Sequence, residues 1–191
     1  MKMNLIFVIF VIVVIFLLIS YFIIQRVDDE KEIKEFKSIG SFSLIQKGTN
    51  ICQECNSDNT NRGTYKTLLL KKERMVRDQI ETIEEEVLLQ LCENCSSRYA
   101  FNEIEIWSIE NSNYLDLYTL ASEAKSLQHC YHCGTPLNSM PYHVIEYREE
   151  NRKEKNVIKI VGYAEALLIV CEKCKDYYDM KNIRIGVYEQ D

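Results

Sequence analysis

"LLQLCENCSSRY" (residues 88–99) and "LLIVCEKCKDYY" (residues 167–178) are two versions of one phrase. They align without a gap at a shift of 79 residues. Leu-Leu, Cys-Glu-x-Cys and a tyrosine four positions after the second cysteine recur in both. Downstream, "NEIEIWSI" (102–109) corresponds to "KNIRIGVY" (181–188), with Ile104 and Ile106 over Ile183 and Ile185. Alternating apolar residues in both tails predict a strand closing each copy. An internal duplication explains these matches, and it decides which cysteines act together.

All eight cysteines fall into Cys-x-x-Cys pairs: Cys52/Cys55, Cys92/Cys95, Cys130/Cys133 and Cys171/Cys174. Two intervening residues let one tight turn aim both sulfurs at a point, and two such turns make a tetrahedral thiolate site suited to zinc. The spacings between pairs are nearly equal, so they do not choose partners. The repeat does. Cys52, Cys55, Cys92 and Cys95 are expected to hold one Zn2+, and Cys130, Cys133, Cys171 and Cys174 a second. A cross-braced arrangement, first pair with third, satisfies the same ligand count. A rubredoxin-type iron site is the minor alternative to zinc. With four cysteines per ion each site is closed, hence structural, because catalytic zinc keeps a position for water. The three histidines, His129, His132 and His143, all lie near the third pair and are expected in solvent or core roles.

Between the pairs, "TYKTLLLKK" (64–72) and "IETIEEEVLLQL" (80–91) flank the polar "ERMVRDQ". In the second copy "PYHVIEYR" (141–148) and "VIKIVGYAEALLIV" (157–170) flank "EENRKEKN". Each predicts a β-hairpin with a charged turn, although Glu, Arg, Met and Gln in 73–90 also suit a helix. Asn56 and Gly134, which follow the first pairs, tolerate a left-handed backbone. The Glu84–Glu86 run is expected on a solvated strand edge. "NYLDLYTLASEAKS" (113–126) has Leu117, Leu120, Ala121 and Ala124 at helical spacing and predicts a linking helix with Asn113 as a cap.

A knuckle, a hairpin and a second Cys-x-x-Cys opening a helical turn resemble the treble-clef and zinc-ribbon superfamily, carried here by "CQEC…CENC" and "CYHCG…CEKC". The resemblance covers roughly residues 50–109 and 128–188. It implies a fold only, since such modules serve protein binding, nucleic-acid binding and enzyme scaffolds alike.

Residues 5–24, "LIFVIFVIVVIFLLISYFII", carry no charge and match a bilayer core in helical length. Arg26, Lys31, Lys34 and Lys37 follow the span and only Lys2 precedes it, which predicts a single-pass anchor in the cell membrane with the C-terminal part cytoplasmic. Residues 25–37 read as its charged helical continuation.

The expected fold is thus α+β. A transmembrane anchor (1–25) and a juxtamembrane linker (26–49) precede zinc module one (50–110), a linking helix (111–127) and zinc module two (128–191). Residues 1–37 contain equal numbers of acids and bases, so residues 38–191 carry the whole net charge of −6. That disfavours a phosphate-backbone binder, which needs a basic face. No small-molecule substrate and no catalytic constellation is evident. The functional expectation is a non-enzymatic, membrane-anchored module for an unknown protein partner. A thiol–disulfide protein using its Cys-x-x-Cys pairs is the alternative, and a nucleic-acid-binding zinc ribbon a lesser one.

Overall fold

The computed structural model describes residues 32–42, 51–57, 63–124, 128–138, 140–153 and 158–189. Residues 33–191 form one unit. Its strands are β1 (Ile33–Ser38), β2 (Gly63–Val76), β3 (Gln79–Cys92), β4 (Tyr99–Ser108), β5 (Asn113–Asp116), β6 (Tyr142–Lys153), β7 (Ile158–Cys171) and β8 (Tyr178–Tyr188). The only α-helices among the described residues are α1 (Glu93–Ser96) and α2 (Leu117–Glu123). The strands make two four-stranded antiparallel sheets, ordered β3-β2-β6-β7 and β1-β8-β4-β5.

The expected α+β arrangement of two hairpin modules joined by a helix is therefore corrected to a mostly β fold. The two hairpins lie side by side in one sheet, β2 pairing with β6, and the two closing strands β4 and β8 pair in the other. A lone hairpin leaves both edges open and is marginal in water. Joining β2 to β6 satisfies one edge of each hairpin with eleven cross-strand residue pairs.

The core explains the alternation in the sequence. Ile104 and Ile106 of β4, and Ile183 and Ile185 of β8, are buried on one face of their sheet. They share a cluster with Leu68, Leu89 and Leu91 of the first hairpin and Ile145, Leu168 and Val170 of the second. The Phe101 and Tyr147 rings, 5.3 Å apart, join the two sheets. The outer half of β3, Gln79–Glu86, is exposed, so Glu84, Glu85 and Glu86 lie on a solvated edge strand. The first hairpin turns through Arg77 and Asp78, both with positive φ (50° and 64°). This is the two-residue turn whose twist matches the strands.

Two further helical expectations give way. Asn113–Asp116 is a strand on β4, and only Leu117–Glu123 is helical. The cap is Asp116, whose carboxylate accepts from the Tyr118 and Thr119 amides at 3.2 and 2.9 Å. Ile33–Ser38, read as part of a charged helix, is a strand on β8. Without β1, β8 would be the edge of its sheet with one side of its backbone unpaired, and the segment fills that edge.

The cell-membrane localisation is also corrected. Among the described residues no helix is long and apolar enough to cross a membrane. Residues 5–24, on which that expectation rested, lie outside the described residues.

Candidate metal centres

Each repeat gathers its own four cysteines. Cys52 and Cys55 sit on a knuckle before β2, Cys92 ends β3 and Cys95 lies in α1. Cys130 and Cys133 sit on the second knuckle, Cys171 ends β7 and Cys174 closes the turn after it. Within each group all four Sγ atoms lie within 4.8 Å of one another. No cysteine is in a disulfide. Pairing is sequential, first pair with second and third with fourth.

The knuckles are built alike. The Asn56 amide donates to the Cys52 carbonyl at 2.8 Å, and the Gly134 amide to the Cys130 carbonyl at 2.8 Å. Both turns need a left-handed residue, and Asn56 (φ 57°) and Gly134 (φ 68°) supply it. Each knuckle is then docked on the last strand of its hairpin. The Gln53 amide donates to the Gln90 carbonyl at 3.0 Å, and the Tyr131 amide to the Ile169 carbonyl at 2.8 Å. The strand thus places the second Cys-x-x-Cys beneath the first.

The geometry suits a tetrahedral ion. Cys55 Sγ and Cys92 Sγ are 3.9 Å apart, as are Cys133 Sγ and Cys171 Sγ. Four sulfurs about 2.3 Å from a central zinc stand about 3.8 Å from one another. The electrostatics agree. Burial pushes the Cys52 and Cys130 thiols up. Burial, then the neighbouring sulfurs, pushes Cys95 and Cys174 far up. Cys55 is exposed and brought down to about 6, chiefly by the Ser57 hydroxyl 3.0 Å away. Cys133 is brought down to about 6 in the same way by Thr135 at 3.1 Å. Four close thiols, mostly buried, cannot all ionise without a cation among them. The donor set fits a soft divalent metal.

The histidines stand apart from the sulfurs. The His132 ring stacks on Tyr177 at 4.4 Å, its Nδ1 lies 3.3 Å from Tyr178 Oη and its Nε2 lies 3.8 Å from Glu110. His143 Nε2 lies 2.8 Å from Glu172. His129 Nδ1 is buried without a hydrogen-bond partner among the described residues. None belongs to either four-sulfur group. The Trp107 and Tyr114 rings meet edge to face, 5.0 Å between centroids.

Sequence reasoning missed the charged supports. Lys37 of β1 reaches Glu54, inside the first knuckle, at 3.0 Å and Tyr99 Oη at 3.2 Å. Arg98 approaches Glu54 at 3.4 Å. In the second repeat Glu172, inside the Cys171/Cys174 pair, takes Lys175 at 2.8 Å and Lys72 of β2 at 3.6 Å. The recurring Cys-Glu-x-Cys was a usable signal for Glu172, whereas nothing local marked Lys37 as a neighbour of a knuckle 17 residues on.

No protein-family model, curated protein or solved structure matches the chain.

Proposed function

We propose that the metal is zinc, two structural ions per chain, and that the protein is a non-enzymatic module that binds another protein. The observation carrying this reading is the pair of complete four-sulfur groups. Four thiolates fill the coordination shell of a tetrahedral zinc and leave no place for water or substrate. The metal then serves folding rather than chemistry. The exposure of Val76, Ile80 and Ile83 near the tip of the first hairpin supports a partner contact there.

A thiol–disulfide protein is the second reading. It is favoured by one observation: Cys55 and Cys133 are exposed and ionise readily. The same two groups serve equally as the first thiolates to meet an incoming metal.

Metal analysis and thiol titration of the full chain, purified under reducing conditions without added metal, separate the readings. Two zinc ions and eight reduced thiols per chain support the structural-zinc reading. A folded, metal-free chain with disulfides overturns it in favour of redox exchange. For the binding role, Ile80→Ser should abolish partner crosslinking at the hairpin tip while zinc content is kept. Unchanged crosslinking would move the partner surface elsewhere.

A further inference from the structure

The pairing between the repeats obeys a twofold operator. From β3 and β7 onward, residues 79 apart are equivalent in the duplication, whereas β2 and β6 are related by a shift of 77, because Tyr65 faces Cys92 as Tyr142 faces Cys171 and the irregularities at Leu68/Leu69 and Ile145/Glu146 correspond. In the β2–β6 ladder the equivalent residues Leu69 and Glu146 face each other, and pairing runs without a shift to either side. In the β4–β8 ladder every pair has its image. Tyr99 opposite Val187 is matched by Ser108 opposite Tyr178, Ala100 opposite Gly186 by Trp107 opposite Asp179, and Ile104 opposite Ile185 by Ile106 opposite Ile183. Even the two register shifts fall symmetrically about the centre. At that centre stand Glu105 and Arg184, equivalent residues joined by a salt bridge. Two separate ladders, each symmetric about a facing pair of equivalent residues, are the signature of an isologous interface, in which the same surface is used by both partners.

We infer that the face each repeat turns to the other is a self-association surface, fitted to a second repeat of the same kind, and that the chain is a fused dimer whose two metal sites load as one unit. The inference rests on the proposed metal binding. The coupling has a physical route. Metal in the first site fixes the turn from β3 through α1 into β4, and β4 pairs with β8. Metal in the second site fixes the turn from β7 into β8. Each ion orders a strand that the other repeat needs, so filling one site prepares the other, which is positive coupling. Duplication also removes a cost of true symmetry. Two identical copies would set like residues against each other at the position of Glu105 and Arg184, and the fused chain sets opposite charges there. The Arg184 guanidinium is further held 3.7 Å over the Tyr114 ring of β5 and 4.8 Å over the Phe36 ring of β1.

The test is a zinc titration of the metal-free, reduced full chain, read by native mass spectrometry. At one equivalent of zinc, metal-free and two-zinc chains should dominate, with the one-zinc chain far below about half, the statistical share for independent equal sites. A one-zinc share of half or more overturns the coupling while leaving zinc binding intact. Failure to bind zinc at all overturns the metal reading beneath it. Charge variants at the centre keep the interface itself falsifiable. Glu105→Arg and Arg184→Glu should each lower the thermal midpoint and raise the one-zinc share. The double exchange returns an opposite-charge pair to the centre and should restore the one-zinc share, with the midpoint recovering in part because the contacts of Arg184 with Tyr114 and Phe36 are lost. A double variant as impaired as the two singles together would overturn the twofold surface.

Discussion

The two metal centres hold their sulfurs alike and differ in nearly everything around them. The knuckle amide bonds and the docking of each knuckle on its hairpin recur. Around them, Asn56 faces Gly134 in role, Gln53 faces Tyr131, and an α-helical turn at Glu93–Ser96 faces a 3-10 turn at Lys175–Tyr177. Glu54 in one knuckle is held by two cations, whereas His132 in the other is stacked on Tyr177. The lesson is that a four-sulfur geometry constrains the cysteines and the amides that aim them. The neighbouring side chains are then left to serve stability or binding separately in each half.

The largest expected effect comes from removing a buried ligand. Cys52→Ala and Cys130→Ala should each abolish two-zinc occupancy and the cooperative thermal transition, since structural zinc contributes about 10–16 kcal/mol to small domains. Circular dichroism melting with zinc analysis checks this. A variant that keeps its fold would show one centre to be dispensable and break the equivalence. Next come Ile104→Ala and Ile183→Ala, equivalent core positions at 0% and 1% exposure. Each should cost about 2–5 kcal/mol in denaturant unfolding. Costs differing by more than that spread would locate a real asymmetry in the core.

Smaller effects sharpen the contrast between the knuckles. A Cβ at Gly134 would meet nothing within 4 Å, so Gly134→Ala carries only backbone strain, about 1–2 kcal/mol. Asn56→Gly should relieve the corresponding strain and raise the thermal midpoint slightly. The smallest effect is expected at the first hairpin turn. Replacing Arg77-Asp78 by Asn-Gly suits the positive φ values and should add a few tenths of a kcal/mol, about the scale of a favourable turn residue. A destabilised turn variant would mean that Arg77 or Asp78 makes a contact worth more than its strain.

How much of this was legible depended on where the information resides. The cysteine sets, both hairpins and the left-handed positions Asn56 and Gly134 follow from residue types at short or repeated spacing. The union of the hairpins was not legible, because no local pattern names the antiparallel partner of β2. Each repeat owned a complete set of cysteines and so read as a separate module. Residues 25–37 looked like a charged helical continuation of the apolar span before them, yet the open edge of β8 recruits Ile33–Ser38 as β1. At the linker, Leu117 and Leu120 gave the helical period correctly, but the start was misplaced. Asn113 competes poorly as a cap once Asn113–Asp116 pairs with β4, and Asp116 takes the role.

The most direct test of the central claim, two closed four-sulfur centres, is X-ray absorption at the metal edge on the full chain as purified. The account predicts a single shell of four sulfurs about 2.3 Å from zinc, with two zinc ions per chain. A nitrogen or oxygen neighbour in that shell, or fewer than four sulfurs, would open a coordination position and contradict the structural role assigned to both sites.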